Sequence, residues 1–95
     1  MVSKQHYFYV LLCKDQTFYA GYTTDLARRL HEHNQGIGAK YTRLAKRRPL
    51  TMIHAESFET RSEAMQKEAA FKQLSRKQKE NYLKNTPSLD LPTTD

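Results

Sequence analysis

The segment His6–Cys13 reads HYFYVLLC, a run almost wholly apolar and rich in aromatic side chains. Its composition and length predict a strand buried on both faces, which constrains the fold more than any other segment. Lys14–Thr17 is polar and contains Asp15, a turn-former. Phe18–Tyr22 (FYAGY) is aromatic again, so the two segments predict a β-hairpin. Gly21, inside the second strand, marks a bulge or a place where another backbone or a ligand comes close. The loop decides which way the tyrosines point. A two-residue loop at Asp15-Gln16 puts Tyr9 and Tyr19 on opposite faces. A three-residue loop, Asp15–Thr17, or a bulge at Gly21 brings them to one face, which is the expectation.

Thr23-Thr24-Asp25 predicts a helix start, with a hydroxyl cap and an acid in the first turn. Leu26, Ala27 and Leu30 repeat at helical spacing, and Asn34 and Gly36 end the helix. Gly36-Ile37-Gly38 is a flexible link. Ala39–Lys46 predicts a short helix broken at Pro49, and Leu50–Phe58 predicts a third strand. Thr60-Arg61-Ser62-Glu63 is a capping box for a helix running to about Leu74. Ser75-Arg76-Lys77-Gln78 opens another, ending near Asn85. Residues 1–85 therefore form one domain, since 95 residues leave no room for a second. Residues 86–95, with Pro87 and Pro92 and no periodicity, predict a disordered tail.

Composition narrows the function classes. No apolar run approaches the ~18 residues of a membrane span. The start, Met1–His6, has no charged-then-apolar export pattern. Cys13 is the only cysteine, which excludes an internal disulfide and suits the reducing cytoplasm, the expected location. The net charge is +6. Residues 36–50 carry Lys40, Arg43, Lys46, Arg47 and Arg48 and no acid, so most of the excess sits there. Such a block favours a polyanion, nucleic acid before membrane, although a solvated loop explains it equally well.

Several residues stand out of pattern. Ala64, Glu68 and Phe71 fall on one helix face, which places a carboxylate among apolar neighbours. An unpaired carboxylate there is expensive, so Glu68 either has a function or lies at the rim, paired with Lys72. Arg29 and His33 share one face of the first helix beside the Leu26/Leu30 stripe. An arginine there can clamp a phosphate and the histidine can carry a proton, or the two are simply exposed and packed. His31 and His33 point about 200° apart on a helix, which argues against a metal pair. Tyr7, Tyr9, Tyr19, Tyr22 and Tyr41 crowd the first half of the chain, for sheet packing or for phosphates and bases.

Tyr7-Phe8-Tyr9, Tyr19-Ala20-Gly21, Asp25-Leu26-Ala27-Arg28-Arg29-Leu30, His33 and Glu68 together resemble the GIY-YIG nuclease superfamily. The stretch from His33 to Arg43 (HNQGIGAKYTR) resembles its small, single-domain bacterial branch. The resemblance covers about residues 6–84. It implies an α/β (α+β) fold with a three-stranded antiparallel sheet flanked by helices. Tyr9 matches the tyrosine that closes the first tripeptide, and Tyr19 and Gly21 match the ends of the second. Arg29 matches the arginine on the scissile phosphate. His33 stands where relatives carry His or Tyr, and Glu68 matches the metal-binding glutamate. Tyr7, Phe8 and Ala20 depart from the tripeptides at backbone or core positions. Tyr22 stands where the DNA-repair excinuclease relatives usually carry Lys.

The implied activity is metal-dependent cleavage of a DNA phosphodiester, structure-directed or weakly specific, of the kind used in repair or recombination. The implied catalytic set is Tyr9, Tyr19, Arg29, His33 and Glu68. Glu68 would hold Mg²⁺ or Mn²⁺, and Tyr19, assisted by Tyr9 or His33, would take a proton from water. Lys40, Tyr41, Arg43 and Arg47 would bind flanking nucleic acid. The expected partner is DNA, single-stranded or branched forms included, with RNA left open, no membrane, and a monomeric protein. The alternative is a nucleic-acid-binding module with a vestigial site. An acid that repels phosphate argues for the nuclease.

Overall fold

Three strands, His6–Leu12 (β1), Phe18–Thr23 (β2) and Thr51–Phe58 (β3), form one antiparallel sheet in the order β2-β1-β3. Helices Leu26–Asn34 (α1), Arg61–Lys72 (α2) and Arg76–Asn85 (α3) flank it. This is the architecture that the resemblance implies. The computed structural model describes residues 5–93. Residues 1–4, part of the start read as lacking an export pattern, lie outside the described residues, as do Thr94 and Asp95 of the tail. No helix among the described residues is long and apolar enough to cross a membrane.

The central position of β1 explains its apolar run. Tyr9 and Leu11 alternate with Phe8 and Val10, and all four are buried. Tyr9 and Leu11 join Cys13, Leu30, Leu50, Met52 and Ala55, under Leu26 of α1, Tyr41 and Leu91. Phe8 and Val10 join Ala20 and Phe71, under Leu74, Tyr82 and Leu83. Phe71 alone contributes about 2–3 kcal/mol by leaving water. The β1–β3 register slips between Val10 and Leu11, which pairs Val10 with His54 but Leu11 with Met52. The extra residue, Ile53, lets Met52 and Ala55 face the same cluster although they are three apart.

Local chemistry sets the helix starts. Thr60 and Glu63 form the expected capping box on α2, and Ser75 and Gln78 form the one on α3. The α1 cap is Asp25 itself: its carboxylate accepts from the Arg28 amide at 3.1 Å, and Thr23 Oγ1 accepts from the Asp25 amide. The helix expected over Ala39–Lys46 is two 3₁₀ turns, Tyr41–Arg43 and Ala45–Arg47, separated by Leu44 in extended backbone. On the far face, His54 Nε2 lies 2.7 Å from Glu56 Oε2, and the Tyr82 hydroxyl donates to the same carboxylate oxygen. That contact fastens α3 to β3.

The tail departs from expectation. Residues 86–93 are not a disordered segment. The Leu89 amide donates to the Ala55 carbonyl at 2.9 Å, Ser88 Oγ accepts from the Ala55 amide at 3.0 Å, and Leu91 packs on the core. β3 is an edge strand, and its unpaired backbone groups provide the docking site that composition does not reveal.

Candidate active site

The hairpin loop determines the site. The Cys13 amide donates to the Thr17 carbonyl, and the Gln16 amide to the Cys13 carbonyl. The loop is therefore Lys14–Gln16, three residues long but one position earlier than expected, with Gln16 at φ 70°. It pairs Leu11 with Tyr19 and Tyr9 with Gly21, so Tyr9 and Tyr19 share a face. A methyl group at Gly21 would stand 2.6 Å from Tyr9 Cζ, so glycine is what lets the ring lie across β2.

α1 delivers Arg29 and His33 onto the same face. Arg29 Nε donates to the Tyr9 hydroxyl at 3.3 Å, and that hydroxyl lies 2.8 Å from His33 Nε2. The Tyr19 ring centroid is 5.0 Å from that of His33. Tyr9 and His33 are fully buried, whereas Tyr19 and Arg29 are half-buried. The solvent-facing layer is therefore Tyr19 and Arg29, with Tyr9 and His33 behind it. Glu32 Oε1 holds Arg29 Nη1 from the other side at 3.1 Å. Burial pushes the Tyr9 phenol well above its ordinary range. Arg29 opposes that shift, while Tyr19 and Glu68 reinforce it. Burial, with the charge of Arg29, pushes His33 down to about 4, so its ring is neutral at pH 7.

Glu68 sits at the rim of α2, with Lys72 Nζ at 2.6 Å. The pairing weighed from the sequence is present, yet it does not remove Glu68 from the site. Its charge reaches the Tyr9 hydroxyl, and Lys72 Nζ lies 5.9 Å from the Tyr19 ring. No group of three or more His, Cys, Asp or Glu converges among the described residues. The donor set thus fits a hard cation held through one carboxylate, with water and substrate phosphates completing its shell, and does not fit an all-protein cage. Lys72 Nζ donates to Glu68 Oε2, so its ammonium competes with such a cation for the carboxylate.

The basic segment divides. Lys40 and Arg43 are exposed. Together with Tyr41, Leu44 and Arg47 they line a surface hollow of about 590 Å³. Tyr41 stacks on Tyr19 at 5.9 Å, which joins this hollow to the tyrosine cluster. Arg47 is committed within the fold. It pairs with Asp15 at 3.1 Å, donates to the Tyr41 carbonyl at 3.0 Å and lies 3.7 Å over the Tyr41 ring. Two residues absent from the expected set belong to the cluster: Glu32 beside Arg29, and Thr42, whose Oγ1 is 2.8 Å from His33 Nδ1. Thr42 follows no periodicity, and only its place in the His33–Arg43 stretch marks it.

Comparison with known proteins shows the family of the chain. Residues 5–81 match the GIY-YIG catalytic domain. A UPF0213 protein of Enterococcus faecalis is 74% identical over 85% of this chain and 92% of its own length. One from Bacillus velezensis is 61% identical over 87% of this chain and 82% of its own. Among solved structures, the solution NMR structure of an E. faecalis protein covers 85% of this chain and 84% of its own, with 74% identity and a TM-score of 0.59. That of a UPF0213 protein from Bacillus halodurans covers 84% and 83%, with 42% identity and a TM-score of 0.56. The chain belongs to the GIY-YIG family, a nuclease superfamily.

Proposed function

We propose that the chain is a metal-dependent endonuclease that hydrolyses DNA phosphodiester bonds with structural or weak sequence preference. One observation carries this reading. Tyr9, Tyr19, Arg29 and His33, drawn from β1, β2 and α1, meet at one site within electrostatic reach of Glu68.

Arg29 is held from two sides, by Tyr9 and Glu32, with its guanidinium part-exposed. That geometry suits binding a non-bridging phosphate oxygen without an ordering step. Tyr19 is half-buried where Tyr9 is fully buried, so it is placed to meet the attacking water, and its phenolate oxygen would take that water's proton. Tyr9 and His33, buried behind, orient Arg29 and shape the floor under Tyr19. Glu68 would hold Mg²⁺ or Mn²⁺, which supplies charge stabilisation at the phosphate and leaving oxygen when bound. Lys40 and Arg43 grip flanking phosphates, and Tyr41 offers a ring beside Tyr19 for a base or sugar.

The test is incubation of the purified chain with supercoiled plasmid, single-stranded DNA and branched DNA, with Mg²⁺ and with chelator. Mg²⁺-dependent nicking that disappears in Arg29→Ala is the expected result. Tight DNA binding with no nicking of any substrate would overturn the proposal in favour of a binding module.

A further inference from the structure

Arg29 Nε, Tyr9 Oη, the His33 ring and Thr42 Oγ1 form a continuous hydrogen-bonded chain that closes on the Ala39 carbonyl. The successive separations are 3.3, 2.8, 2.8 and 3.2 Å. Both ends of this chain have a fixed polarity. Arg29 Nε carries a hydrogen and only donates. The Tyr9 oxygen therefore accepts from it, and the Tyr9 hydrogen needs another acceptor. Among the described residues the only other partner of that hydroxyl is His33 Nε2. At the far end the Ala39 carbonyl only accepts, so it takes the single hydrogen of the Thr42 hydroxyl. Thr42 Oγ1 is then an acceptor toward His33 Nδ1.

The two ends demand the same ring state, with hydrogen on Nδ1 and a bare Nε2. The opposite tautomer would aim both Arg29 and His33 donors at Tyr9 and leave the Tyr9 hydrogen without an acceptor in a fully buried place. It would also turn the Thr42 hydrogen from Ala39 to His33. Buried groups rarely tolerate such losses. The packing keeps these groups in register: a methyl group at Gly38 would stand 2.6 Å from His33 Nδ1, so glycine lets the Ala39–Thr42 turn close over the ring.

We infer that Thr42 is a positioning residue of the active site: anchored on the Ala39 carbonyl, its hydroxyl holds His33 in the Nδ1–H tautomer, so that Tyr9 presents a lone pair to Arg29. The inference rests on the nuclease reading for its catalytic consequence, because the chain ends on the guanidinium assigned to the phosphate. It also removes His33 from the role of base toward water, since its one basic nitrogen is buried and occupied by Tyr9. Thr42 lies between Lys40 and Arg43, so the turn that offers cations to the backbone also sets the floor of the site.

The experiment records long-range ¹H–¹⁵N correlations of the His33 ring at pH 7 in the full chain, for wild type, Thr42→Ser and Thr42→Val. The expected wild-type pattern is protonated Nδ1 and bare Nε2. Thr42→Ser keeps it, and Thr42→Val, similar in shape but without the hydroxyl, shifts to the other tautomer or a mixture. Nicking by Thr42→Val should fall about 10–100-fold in kcat with DNA affinity unchanged, the range found where a metal-ligating histidine loses the partner that orients it. A wild-type ring protonated on Nε2, or an unshifted tautomer in Thr42→Val, would overturn the inference. So would a loss confined to DNA affinity. If Thr42→Val does not fold, the wild-type and Thr42→Ser spectra still decide. Absence of nicking by wild type defeats the nuclease reading alone, because the tautomer is read without turnover.

Discussion

Gly21 lies opposite Tyr9 in the β1–β2 register, and the Tyr9 ring occupies the space a side chain at Gly21 would need. The ring cannot give way. It is fully buried, and its hydroxyl is tied to both Arg29 and His33. Gly21→Ala should therefore destabilise the fold by about 1–3 kcal/mol, the range for overpacking a filled core. Thermal denaturation measures it, and an unchanged melting temperature would show that the ring is free to move.

His33 gives the site a pH limit. Its folded pKa, about 4, lies below the ordinary 6.5. Between these values the unfolded chain takes up a proton that the folded chain refuses. Stability from this group is thus complete above about 6.5 and declines as pH falls toward 4. The loss approaches about 3 kcal/mol at most. Melting temperatures of wild type and His33→Gln across pH 4–7 isolate it, and the wild-type curve should be the steeper by about one proton.

The tail should matter for stability and not for chemistry. A chain ending at residue 86 loses the Ser88 and Leu89 contacts with Ala55 and the cover that Leu91 gives the core. About 1–2 kcal/mol should go with them, from two hydrogen bonds and one partly buried leucine, less the ordering entropy recovered. Denaturant midpoints test this, with Mg²⁺-dependent nicking as the property that should stay unchanged.

The two kinds of cation in the basic segment should separate experimentally. Lys40→Ala and Arg43→Ala remove exposed charges. Each should weaken DNA binding across all sequences and flatten the salt slope by roughly one unit per lost phosphate contact. Arg47→Ala instead breaks the contacts with Asp15 and Tyr41 that pin this segment to the hairpin loop. Its main effect should be a lower melting temperature. Equal salt slopes for all three variants would refute this division.

Legibility in the sequence followed the reach of each interaction. Capping boxes at Thr60 and Ser75 are local, and both stand where the residue pattern places them. The double burial of β1 is written in the composition of that one strand. Loop geometry was less accessible: no glycine or asparagine marks Gln16 as the residue at positive φ, so the residue pattern places the three-residue loop one position late, although the shared face it gives Tyr9 and Tyr19 is the one observed. The Ala39–Lys46 segment has helical composition, yet it is held as two turns by Thr42 reaching His33 and Arg47 reaching Asp15. The partners lie 9 and 32 residues away along the chain, and no spacing rule finds them. Ser88 and Leu89 dock on β3 through the tail's backbone and one hydroxyl, which leaves no apolar period to read.

Glu68 and Lys72 give the sharpest test of catalysis. Their ion pair is partly exposed and joins neighbouring turns of one helix, so it contributes little to stability, about 0.3–0.5 kcal/mol. Glu68→Gln should therefore fold normally. If the carboxylate holds the metal, Gln keeps its shape but loses the charge, and Mg²⁺-dependent nicking should collapse. DNA affinity measured without metal should persist or tighten, because a negative charge near the phosphates is gone. Lys72→Ala should act in the opposite sense on metal. With the competing ammonium removed, half-maximal nicking should need less Mg²⁺. Full nicking by Glu68→Gln, with a Mg²⁺ requirement unmoved in Lys72→Ala, would leave the pair a surface ion pair and detach Glu68 from the chemistry.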